Sequence, residues 1–192
     1  MDYSIIKAKS RGYANHGWLE AIHSFSFAGY YNPDRMGFGM IRVLNDDKIS
    51  GGMGFGMHPH ENMEIITIPL EGGVRHRDNM GNDGVINSNE IQVMSAGTGV
   101  MHSEVNASPT DYLKLFQIWI MPNNNNVTPR YQQIKIELTA NEFTQLVSPN
   151  ADDSGAWIYQ DAWLHMGEFD QNQEINYELK NPLNGLYIMI VD

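Results

Sequence analysis

Apolar positions fall into short runs, many alternating with polar residues, and a strand shows its side chains to opposite faces in that rhythm. Runs at 40–44, 63–70, 74–77, 91–95, 100–105 and 113–121 predict strands, and 133–138, 157–160, 162–169, 175–179 and 186–191 continue the series. Turn-forming clusters lie between them: Asn45-Asp46-Asp47, Glu71-Gly72-Gly73, Asn79-Met80-Gly81-Asn82, Asn87-Ser88-Asn89 and Gly97-Thr98-Gly99. Punctuation every roughly 8–12 residues reads as an all-β sandwich or barrel. No long window carries a 3.6-residue period, so helices should be few and short.

The segment Pro122-Asn123-Asn124-Asn125-Asn126-Val127-Thr128-Pro129 is polar and has nothing to bury. It divides the chain into an N-terminal domain, 1–129, and a shorter C-terminal one, 130–192. The chain stops on an apolar run, which would normally lead into a turn and a partner strand. The second domain is therefore expected to be incomplete, or completed by another chain.

Apolar content of 42% with 18% charged residues rules against global disorder. A net charge of −11, with no run of Lys or Arg, excludes a general nucleic-acid binder. Cysteine is absent, which removes disulfides, thiolate nucleophiles and thiolate metal sites. The start, MDYSIIKAKSRGYANHGW, has no apolar signal region, and no apolar stretch reaches the roughly 20 residues of a membrane helix. A soluble, cytoplasmic protein without membrane contact is the expectation.

The chemistry concentrates in His58-Pro59-His60 and His102-Ser103-Glu104. On strands, each pair with one residue between points to one side, so two facing strands would converge three imidazoles and a carboxylate. Such ligands suit borderline divalent metals: Fe, Ni, Cu, Zn, Mn or Co. Continuing the even-numbered face from His58 gives Asn62, Glu64, Ile66, Ile68 and Leu70. This predicts ligands near a barrel mouth, with Ile66, Ile68 and Leu70 lining a substrate pocket. By parity Glu64 is also an available ligand. Pro59 cannot donate to a ladder and predicts an edge strand or bulge. His76, between two arginines, reads as exposed, His16 and His23 as hydrogen-bonded structural residues, and Arg42 and Lys114 as facing solvent.

Gly52-x5-His58-x-His60-x3-Glu64 resembles the first cupin motif, and Gly97-x4-His102 a variant of the second. HPHENMEIITIPLEGGVRHRDNMGNDGVI followed by MSAGTGVMHSE resembles the pirin family more narrowly, as do Arg11-Gly12, His16-Gly17-Trp18 and His23-Ser24-Phe25-Ser26-Phe27. Ser95-Ala96-Gly97 replaces the general Pro-x-Gly, and pirins share this shift. The resemblance implies a bicupin with one metal, commonly Fe(II), in the N-terminal barrel only. The ligands it implies are His58, His60, His102 and Glu104, leaving Glu64 to hydrogen-bond a ligand imidazole. His165 as the second half's lone histidine agrees with a metal-free barrel. Family members continue well beyond this chain's end. The implied activity is a quercetin dioxygenase acting on a flavonol and O₂ and releasing carbon monoxide, with Glu104 as catalytic base. The alternative it implies is a metal-binding regulator that contacts a protein partner.

Overall fold

The computed structural model describes residues 3–191. A single 3₁₀ turn, Ala8–Ser10, is the one helical element among the described residues; the rest is strand and connection. The strands are β1 (Gly12–Asn15), β2 (Leu19–His23), β3 (Ile41–Ile49), β4 (Gly54–His60) and β5 (Glu64–Glu71). They continue as β6 (Gly73–Asp78), β7 (Asp83–Asn87), β8 (Glu90–Ser95), β9 (Val100–Asn106) and β10 (Leu113–Ile120). The last are β11 (Arg130–Lys135), β12 (Thr144–Ser148), β13 (Ala156–Trp157) and β14 (Leu164–Met166).

A seven-stranded sheet ordered β1-β2-β3-β10-β5-β8-β11 faces a four-stranded sheet ordered β4-β9-β6-β7. A three-stranded sheet, β13-β12-β14, forms the second unit. The architecture is all-β, and it agrees with the expected bicupin. β11, which follows the 122–129 segment, pairs with β8 and so adds the far edge of the large sheet. Among the described residues no helix is long and apolar enough to cross a membrane.

The large sheet is covered on both faces. One face carries Leu44, Ile66, Ile68, Ile91, Val93, Phe116 and Ile118 against Leu146, Val147 and Ile158 of the second unit. The opposite face meets the four-stranded sheet. This double burial explains why β5 reads as an almost unbroken apolar run. It also corrects the expected pocket: Ile66, Ile68 and Leu70 pack toward the second unit. Thr67 instead faces the space between the two sheets, where it reaches Glu104. The even-numbered face does not persist because the chain turns at Asn62, held at φ 47°, and crosses from one sheet to the other.

Between the sheets lie two apolar clusters separated by a polar layer. Leu19, Ala21, Ile49, Val74, Ile86, Leu113 and Leu115 form one cluster. Ile65, Met94, Ala96 and Val100, with Trp119 against them, form the other. In the layer between them, His23, Asn45, Gln117, Thr67, Gln92 and Gln133 are successive cross-strand neighbours on β2, β3, β10, β5, β8 and β11.

Asn45-Asp46-Asp47 is thus not a turn but the middle of β3, with Asn45 and Asp47 buried. Residues 175–179 and 186–191 run without a paired strand. The alternation at 186–191 still sorts the side chains: Tyr187 and Met189 pack on the core, while Ile188 and Ile190 face out.

Candidate metal centre

β4 is an edge strand, and its approach to β9 depends on Gly54. A Cβ there would run into the Glu104 carbonyl and the Val105 Cα. The β4–β9 register slips by one residue between Phe55, opposite Glu104, and His58, opposite His102. That bulge resets the strand's parity and turns the half-buried His58 and His60 toward β9. Pro59 lies between them opposite Met101, whose backbone N–H and carbonyl both bond Asn79 on the far side, so the missing N–H costs no ladder bond.

The ligating atoms of His58, His60 and His102 lie within 4.8 Å of one another. The His58 and His102 ring centroids are 4.4 Å apart, those of His58 and His60 4.8 Å, and those of His60 and His102 4.9 Å. His58 Nδ1 donates to the Gly56 carbonyl at 2.7 Å, which leaves the Nε2 lone pair free to ligate. Both ring nitrogens of the fully buried His102 lack a hydrogen-bond partner.

Burial, then the neighbouring His58, pushes His60 down to about 4. Burial and both other imidazoles push His102 down to about 2. These rings are therefore neutral near pH 7, the form that ligates. Three clustered imidazoles, one with no other partner, fit a divalent transition metal. Trp119 closes one side, its ring centroid 4.8 Å from that of His60. A cavity of about 360 Å³, lined in part by Pro59, His60, Asn79 and Met101, opens beside the trio.

Glu104 occupies the same face of β9 as His102 but stands outside the close trio. It is buried, and each of its oxygens meets one donor: Thr67 Oγ1 at 2.9 Å from Oε1 and Gln117 Nε2 at 2.8 Å from Oε2. Burial raises its pKa, and the Thr67 hydrogen bond, His76, His58 and Gln117 oppose that rise. Glu64 does not reach a ligand imidazole. It accepts from Ser95 Oγ at 2.7 Å, and Arg130 lies close by, at the junction with the second unit.

His76 corrects another expectation, since it is fully buried rather than exposed. Its Nε2 donates to Asp78 Oδ2 at 3.0 Å, its Nδ1 has no partner, and its ring lies 5.4 Å from that of His102. A signal for this was present in the sequence. Arg75 and Arg77 both reach Asp83 on the outer face, so the histidine between them must face inward. His23 is, as expected, a buried structural residue, with Nδ1 2.9 Å from Asn45 Oδ1. Arg42 departs from expectation, being half-buried and donating to the Ser26 carbonyl at 2.6 Å.

The sequence model described as Pirin matches residues 6–120, more than half the chain. This chain belongs to the pirin family. A second match, the quercetinase C-terminal cupin domain, covers residues 145–192 of this pirin. The quercetin 2,3-dioxygenase of Escherichia coli K12 is 53% identical over 160 residues, spanning 83% of this chain and 68% of that protein. A pirin-like protein of Caulobacter vibrioides is 44% identical over 180 residues, 92% of this pirin and 77% of the relative. The crystal structure of the E. coli pirin YhhW in complex with nickel(II) superposes with a TM-score of 0.79 at 51% identity, covering 83% of this chain and 68% of that one.

Proposed function

We propose that this pirin is a metal-dependent dioxygenase that opens flavonols such as quercetin by 2,4-dioxygenation. The supporting observation is the compact trio of imidazoles with a buried, unpartnered His102, in a chain 53% identical to a protein named quercetin 2,3-dioxygenase. His58, His60, His102 and Glu104 would hold the metal: Fe(II) by preference, with Ni, Cu, Co, Mn or Zn compatible with the same donors. When bound, the ion supplies Lewis acidity that acidifies a neighbouring hydroxyl.

The protein's own contribution is to place a base and to exclude water. A Glu104 oxygen accepts the flavonol 3-hydroxyl proton; its upward-shifted pKa brings it nearer the working pH, where a general base is most effective. Ile65, Met94 and Trp119 provide an apolar wall that limits hydrolytic side reactions. Both atoms of O₂ enter the depside product, and the carbon carrying the 3-oxygen leaves as carbon monoxide.

The test is aerobic incubation of metal-free and Fe(II)- or Ni(II)-loaded protein with quercetin, following flavonol absorbance and headspace carbon monoxide. Loss of flavonol with matching carbon monoxide, confined to the loaded protein, supports the proposal. Stable flavonol over loaded protein overturns it and leaves a metal-binding role without turnover.

A further inference from the structure

The two groups that hold Glu104 come from the opposite sheet. Thr67 on β5 and Gln117 on β10 are direct cross-strand neighbours, and both side chains cross the interior to β9. Thr67 Oγ1 lies 2.9 Å from Glu104 Oε1 and 3.2 Å from Gln117 Oε1. A hydroxyl carries one proton, so the shorter contact to a charged acceptor wins it while Glu104 is ionised. Gln117 then takes the second oxygen through its amide N–H.

Each donor is itself wedged into the polar row, Gln117 between Asn45 and Thr67, and Thr67 between Gln117 and Gln92. The row lies between apolar clusters that leave its members little freedom to reorient. A carboxylate held at both oxygens keeps one lone pair on each for a further partner, with its plane already fixed.

We propose that Thr67 and Gln117 are positioning residues for the metal centre. Acting through Glu104, they hold its carboxylate plane in the orientation that completes the His58–His60–His102 set. This rests on the metal-site reading above. It adds that the large sheet, which supplies none of the imidazoles, controls the fourth donor. The sequence gives no motif for it, since neither residue lies near a histidine pair.

The experiment titrates Co(II) into the metal-free full chain and records the cobalt d–d spectrum for the parent, Thr67→Val, Thr67→Ser and Gln117→Met. Thr67→Val keeps the side-chain shape without the hydroxyl, Thr67→Ser keeps the hydroxyl, and Gln117→Met keeps length without the amide.

Thr67→Val and Gln117→Met should weaken Co(II) binding by about 10- to 100-fold and shift the d–d bands, as expected when the support of a ligand is lost. Thr67→Ser should bind like the parent, with the parent spectrum. Parent-like affinity and bands in both Thr67→Val and Gln117→Met overturn the proposal while leaving the metal site standing. So does an equal weakening in Thr67→Ser, which would point to packing by the methyl group. If one variant does not fold, the other decides. A parent that takes up no cobalt overturns this inference together with the metal-site reading.

Discussion

His58 stands directly opposite His102 across the β4–β9 ladder, their ring centroids 4.4 Å apart. Neither residue could reach this position from its own strand alone. The bulge between Phe55 and His58 sets the parity, and the close approach at Gly54 sets the spacing.

Gly54→Ala tests that spacing. The added methyl meets backbone at Glu104 and Val105, which cannot move aside as a side-chain tip could. β4 must withdraw from β9, taking His58 and His60 away from His102. The expected result is a stability loss of about 1–3 kcal/mol in denaturant unfolding, the usual cost of overpacking, together with clearly weaker metal binding.

Glu104→Gln separates ligation from proton transfer. The amide keeps the size of the carboxylate but not its basicity. Turnover of quercetin should fall by roughly 10²–10⁴-fold, the usual worth of a positioned base, with a smaller loss of metal affinity. Parent-like turnover in this variant removes the base role.

Asp47 predicts a pH effect. Burial first, then Glu104 and Asp46, pushes its carboxyl up to about 7 from 3.8. Between those values the folded protein keeps a proton that the unfolded chain has released. Stability therefore declines as pH rises through this window, and the full cost is present above about 7. Asp47→Asn cannot ionise, so the metal-free variant should exceed the parent by about 2–4 kcal/mol at pH 8, with the difference vanishing toward pH 4. His60, held at about 4, acts in the opposite sense, because the unfolded ring takes up a proton that the folded one refuses. That slope is common to both proteins and cancels in the comparison. Equal stabilities at pH 8 would contradict the assignment.

The site was legible where the chemistry is local. His-x-His and His-x-Glu announce same-face pairs, and β9 and β10 fall within a residue or two of their expected limits. β4 lacks apolar alternation because glycines, a proline and histidines fill it, so only its ligands betrayed it. The face predicted to run from His58 to Leu70 failed at the turn at Asn62, where the chain changes sheets, which periodicity does not register. His76 read as exposed because of the arginines on either side of it, although strand alternation puts it on the inward face with Val74. Asn45 and Asp47 read as a turn because polar residues rarely occupy a buried strand centre; here they do so because the interior has a polar layer. Thr67 and Gln117 gave no local signal, since their role arises from pairing β5 with β10 and facing β9. The second unit's last runs have strand-like alternation, but pairing needs a neighbour that alternation cannot report.

The most direct measurement is calorimetric titration of the metal-free chain with Ni(II) or Co(II), repeated on His58→Ala, His60→Ala and His102→Ala. The account predicts one site per chain, with binding lost or severely weakened in all three variants while their folds persist by circular dichroism. Absent binding in the parent, or undiminished binding in His102→Ala, would contradict it.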